Sequence, residues 1–157
     1  MTNGAFTEIL AGLLAIALIY AAVVDIRTFT ISNRLNLAIA LLAPVYWLSV
    51  GLQPWPDAAI QVAVAAGVFV LLAGAFYAGM MGGGDVKLAA ALALWFSPAT
   101  TITFLIWMSI GGGVLTAVVL VLHRLKKKPG KPEVPYGVAI AFGGLAILIQ
   151  RFLNQFA

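Results

Sequence analysis

The chain contains no cysteine and a single histidine, His123. The first absence excludes disulfides and thiolate metal sites. The second leaves any zinc site to be assembled from one imidazole and acids scattered far from it, so neither a metal nor another cofactor is expected. Charge is also scarce. Charged residues make up 9% of the 157 positions, while 63% are hydrophobic and the mean hydropathy is +1.08. A soluble domain is near half apolar and about a quarter charged. This balance describes a polytopic membrane protein, and at this length residues 1–157 are expected to form one transmembrane domain. The net charge of +4 sits mostly in short loops between apolar runs. That placement points to topology control and anionic membrane lipid, not to nucleic acid.

Six apolar segments are legible, so the expected fold is all-α with six transmembrane helices. Segment 1, about 5–24, is long enough to span about 30 Å of hydrocarbon at about 1.5 Å per residue. Its N-terminal flank carries Glu8 and no Lys or Arg, unlike a signal peptide. A polar loop, 25–34, follows, with Ser32 or Asn33 suited to cap segment 2, about 35–50. Gly51, Pro54 and Pro56 mark the end of that segment, and Trp47 and Trp55 suit an interface. Segment 3 covers about 58–78. Segment 4, about 85–96, is short. Pro98 suits the first turn of segment 5, about 99–122. A basic loop, 123–133, leads to segment 6, about 134–152. The segments show no internal repeat, which gives an inverted-repeat transporter no support.

Arg27, Arg34, Lys87, Arg124, Lys126, Lys127, Lys128 and Lys131 all fall on one side of this layout, and only Arg151 on the other. The positive-inside rule places the basic side in the cytoplasm and both termini outside. Asp25 and Asp85 then share the cytoplasmic side. Glu8 and Asp57 lie on the outer side, and Glu133 sits in a hydrated loop.

An acid at membrane depth is costly and by default functional. Two carboxyls can hydrolyse a peptide bond without metal, serine or cysteine. Like charges at close range cannot both ionise, so the pair shares one proton. The ionised acid takes a proton from water and the neutral one donates to the scissile carbonyl. The stretch Gly82-Gly83-Gly84-Asp85-Val86-Lys87 puts one of these acids at a helix start behind three glycines. Their expected use is to permit unusual dihedrals and to let an extended substrate backbone approach. The alternative is a tight turn with Gly79 and Gly83 in a small-residue packing contact. Gly111-Gly112-Gly113 and Gly143-Gly144 read as close helix crossings, and Met80 and Met81 as apolar packing.

The pattern Gly82-x-Gly84-Asp85-x-Lys87 resembles the GxGD signature of type IV prepilin peptidases. Asp25 ahead of Ile31-Ser32-Asn33 resembles the family's first motif, and Pro135-Tyr136-Gly137 its Pro-Tyr-Gly stretch. The three occur in the family's order. The resemblance implies that Asp25 and Asp85 are the catalytic pair, with Gly82, Gly84 and Lys87 as supporting motif residues. It implies a prokaryotic cytoplasmic-membrane enzyme whose substrate is a prepilin or pseudopilin, cut at the cytoplasmic face after the glycine ending a short basic leader. The size is similar to the short peptidases of tight-adherence (Flp-type) pilus systems, CpaA and TadV. Two departures stand out. Ser32 replaces the family's usual proline. The cysteine-bearing cytoplasmic region that long members link to N-methylation is expected to be missing, so peptidase activity alone carries over. Two rivals remain: a proton- or cation-conducting subunit, which needs polar groups across the membrane that segments 1, 4 and 6 offer sparsely, and a non-catalytic assembly factor of a pilus or secretion machine. A leader-sized mobility shift of a co-expressed prepilin separates them from the peptidase.

Overall fold

A computed structural model describes residues 4–126, 130 and 132–154. Lys127, Lys128 and Lys131 of the basic loop lie outside the described residues. Within them the chain forms six α-helices: α1 (Gly4–Thr28), α2 (Asn33–Val50), α3 (Ala59–Tyr77), α4 (Gly83–Ala93), α5 (Pro98–Leu125) and α6 (Tyr136–Asn154). The segment Pro54–Ala58 leads into α3, with Trp55 in extended backbone at φ −138° and ψ 131°. The fold is that of an all-α polytopic membrane protein. Four stretches are long and apolar enough to cross a bilayer: α1, Pro54–Tyr77, α5 and α6. Of the other two, α4 has only 11 residues, about 16 Å of helix.

The helix ends follow from local chemistry. α2 ends at Gly51, whose φ of 73° allows the closing bonds Gly51 N–H to Leu48 O and Leu52 N–H to Trp47 O. Gly79, φ 70°, ends α3 in the same way, with Gly79 N–H donating to Phe76 O and Met80 N–H to Ala75 O. Ser32 caps α2 by accepting from Leu35 N–H at 3.2 Å, and Ser97 caps α5 ahead of Pro98. The serine at position 32 therefore supplies a cap that proline could not. One boundary differs from expectation. α1 runs on through Asp25, Ile26 and Arg27 to Thr28, and ends where Phe29 turns to φ 51°. Asp25 is thus part of the helix and not of the loop.

The short α4 sits at the centre of the bundle, packed against α2, α3 and α6. Leu88, Ala89, Leu92 and Ala93 are fully buried there, in one core with Leu14, Leu18, Ile39, Phe104 and Ile140. A helix ending at membrane depth must find partners for its last carbonyls. Trp47 Nε1 donates to Leu94 O at 2.7 Å, just past the end of α4, and Trp95 Nε1 donates to Ile39 O at 2.9 Å. Trp47 is therefore a half-buried partner of the chain's own backbone. The α5–α6 crossing uses glycine where expected. A Cβ at Gly143 would lie 3.0 Å from Met108 N and 3.1 Å from Phe104 O, and one at Gly111 2.8 Å from the Phe142 ring. Gly113 does not share in this crossing, since a Cβ there would meet nothing within 4 Å.

Candidate active site

The end of α1, the start of α4 and the start of α6 meet at one end of the bundle. Asp25 lies one turn inside the end of α1 and is 2% exposed; Asp85 is the third residue of α4 and is 8% exposed. The two acids lie within electrostatic reach of each other. Neither makes an ion pair among the described residues. Asp25 is the less exposed of the two, because α1 continues past it and the first turn of α6 covers it.

Each carboxyl is held by backbone. Asp85 Oδ2 accepts from Gly82 N–H at 3.0 Å, reaching back over the first turn of its own helix. The N–H groups of Gly137 and Val138 lie beside the Asp25 carboxyl. Its buried Oδ2 makes no hydrogen bond among the described residues. The start of α4 adds its own partial positive charge at Asp85.

The three glycines do a different job from the one expected. None of them has positive φ; Gly82 is extended at φ −78°, and the left-handed residue of this loop is Gly79. Each of the three is small because something of the same chain lies against it. A Cβ at Gly82 would sit 2.9 Å from Asp85 Oδ2, one at Gly83 3.4 Å from the Phe76 ring, and one at Gly84 2.8 Å from the Ile31 carbonyl oxygen. The space at Gly84 is therefore filled by the first loop and does not lie open to a substrate backbone. Gly79 and Gly83 do not pack as a small-residue pair, since Gly79 has no neighbour within 4 Å.

Ile31 joins the three motifs. Its backbone rests on Gly84, and its Cδ1 would lie 2.6 Å from a Cβ at Gly137, where Asp25 Oδ2 would be 2.8 Å away. Two further bonds clasp α2 to α4 on either side of Asp85. Asn36 Nδ2 donates to Gly84 O at 2.9 Å, and Lys87 Nζ donates to Asn33 Oδ1 at 2.8 Å. Lys87 is thus exposed and tied to Asn33, not to either acid. Gly137, Ile31 and Asn36 were not singled out as site residues from the sequence. The available signal for Asn36 was an amide three residues after Asn33, inside an apolar segment and on the same helix face.

The arrangement brings together two acids 60 positions apart in the chain, buried and fixed by backbone contacts that only glycine permits. Such a pair can exchange protons with a bound water. A family model described as the type IV leader peptidase family matches residues 12–117. The matched stretch contains Asp25, Ile31-Ser32-Asn33 and Gly82 to Lys87, and stops before Pro135. No curated protein and no solved structure matches the chain.

Proposed function

This chain belongs to the type IV leader peptidase family, and from that premise we propose that it is a membrane aspartic endopeptidase with Asp25 and Asp85 as its catalytic pair. The observation that carries the reading is the convergence of two buried acids, without cationic partners among the described residues, on one end of the bundle. The pair shares one proton. Its ionised member takes a proton from water as the water oxygen attacks the scissile carbonyl carbon. Its neutral member gives its proton to the carbonyl oxygen. Collapse of the tetrahedral intermediate breaks the C–N bond; the departing amine takes up the proton drawn from water, and a hydroxyl of the intermediate returns its proton to the carboxylate that had given one as the carbonyl re-forms. The chain then ends as it began, with one proton between two carboxyls.

The substrate is a prepilin or pseudopilin with a short basic leader and an apolar helix, of the kind handled by tight-adherence pilus systems. The site works at the cytoplasmic face of a prokaryotic inner membrane. Supporting this orientation, Arg27, Arg34, Lys87, Arg124 and Lys126 belong to the same end of the bundle as the acids, while Arg151 stands at the other. Lys87, through Asn33, helps fix the start of α4 and so the place of Asp85.

Co-expression with a prepilin tests the reading. The wild-type chain converts the prepilin to a leader-free form, seen as a mobility shift and as a new N-terminus by mass spectrometry. Asp25→Asn and Asp85→Asn each leave it uncut at normal membrane abundance, because the amide keeps the shape but cannot cycle a proton. Conversion by either variant at the wild-type level would remove that residue from the mechanism.

A further inference from the structure

We infer that the groove between the end of α3 and α5 holds the apolar helix of the substrate during cleavage; this rests on the proposed peptidase reading. The groove is a cavity of about 380 Å³ floored by Tyr136, Ala139 and Ile140 of α6. It exists because α3 and α5 barely touch while both pack against other helices.

Three observations select its occupant. The first is continuity with the acids. Met80 and Met81 on one wall run directly into Gly82 and Asp85, and Tyr136 on the floor runs into Gly137, which rests on Asp25. The groove is therefore built by the two segments that lead into the residues around both carboxyls. The second is the order of charge. The groove is lined by no charged side chain, and the segments leading out of it carry two acids, an order that suits a substrate whose apolar helix is preceded by a basic leader. The third is composition. All three internal methionines, Met80, Met81 and Met108, line this one groove. Methionine adapts its shape to varied apolar partners, as a surface serving helices of differing sequence must.

Gly113 adds a sharper point. It lies mid-helix on the groove wall, exposed, with no neighbour that a Cβ would meet within 4 Å. A glycine there costs helix stability relative to alanine and gains nothing inside this chain. A small residue at that place lets a second helix backbone come close. A second groove, about 550 Å³ between α2, α3 and α4, is lined by Asn33, Leu37, Val62 and Lys87 among others, and by none of the segment that covers Asp25. It serves as the control.

Because the chain has no cysteine, disulfide capture is clean. Gly113→Cys and Leu37→Cys are each placed in an Asp85→Asn background and expressed with a prepilin carrying one cysteine at successive positions of its apolar helix. Capture at position 113 should recur every three to four substrate positions and exceed that at 37 several-fold. Equal or greater capture at 37, or none at 113, overturns the inference. In the active protein, Gly113→Trp should slow prepilin cleavage at least roughly tenfold by displacing the scissile bond from the acids, while Leu37→Trp changes it little. Both variants should insert normally, since each position is open. Wild-type cleavage by Gly113→Trp overturns the groove assignment alone. A wild-type chain that cuts no prepilin overturns the peptidase reading, and this inference with it.

Discussion

The two ends of the bundle treat charge in opposite ways. At the end away from the acids, Glu8 Oε1 meets Arg151 Nη2 at 2.8 Å, Arg151 Nη1 donates to the Tyr46 hydroxyl at 2.5 Å, and the guanidinium stands 5.4 Å from the Tyr46 ring centre. Thr7 adds a bond to Ser49 at 3.0 Å. These contacts join α1, α2 and α6 through opposite charges and satisfied polar groups. At the other end α1, α2 and α6 meet again, now with α4, and what they bring together is two acids of like charge. Backbone amides and glycine contacts hold them where a cation would be simpler. A protein that only needed to join its helices would use the first solution twice. Keeping two carboxyls buried without a counter-ion among the described residues costs stability, a cost that the proposed peptidase chemistry would account for.

Substitutions can sharpen this contrast. Outside the two acids themselves, the largest loss is expected at Gly84→Ala. The added methyl meets the Ile31 carbonyl at 2.8 Å, and backbone cannot step aside as a side chain can. Cleavage should fall roughly a hundredfold as Asp85 is displaced, with a cost of about 1–3 kcal/mol in stability, read by prepilin conversion and thermal denaturation in detergent. The Ile31 contact predicts that alanine already suffices to break the site. Gly137→Ala comes next. Its methyl meets the end of the Ile31 side chain and the Asp25 carboxyl, so cleavage should drop at least roughly tenfold with a smaller change in melting. Asn36→Ala removes the bond to Gly84 O. It should lower the cleavage rate by up to about tenfold, matching a lost bond of about 0.5–1.5 kcal/mol, and leave substrate affinity unchanged. At the far end the same measurements should separate the other way. Glu8→Gln should cost at most about 1 kcal/mol of stability, since the pair is partly exposed, and leave cleavage untouched. A chelator should change nothing at either end; activity lost in EDTA and restored by zinc or magnesium would replace the two-aspartate chemistry with a carboxylate-bound metal.

Much of this architecture was legible because lipid imposes a simple code. Apolar runs between polar loops gave the six helices, and the shortness of α4 followed from the spacing of Asp85 and Pro98. The two acids stood out because acids at membrane depth are rare. What the sequence could not disclose was which atoms fill the space beside a glycine. The same three letters at 82 to 84 describe an open path for substrate and a tight seat for Asp85, Phe76 and Ile31; only tertiary contact distinguishes them. The end of α1 was hidden for a related reason. Asp25 reads as a helix stop by its polarity, yet Ile26, Arg27 and Thr28 continue the helix, and the break at Phe29 lies in a dihedral angle. Trp47 looked interfacial by position, and its bond to Leu94 O depends on α4 ending inside the bundle.

The most direct test of the central claim is the rate of prepilin cleavage by purified Asp25→Asn, Asp85→Asn and the double variant, set against the wild type in one detergent. If the two carboxyls act as one proton-sharing unit, each single variant falls to the background rate, and the double variant falls no further. Substantial cleavage by either single variant, or losses that multiply in the double, would show that the acids do not work as a pair.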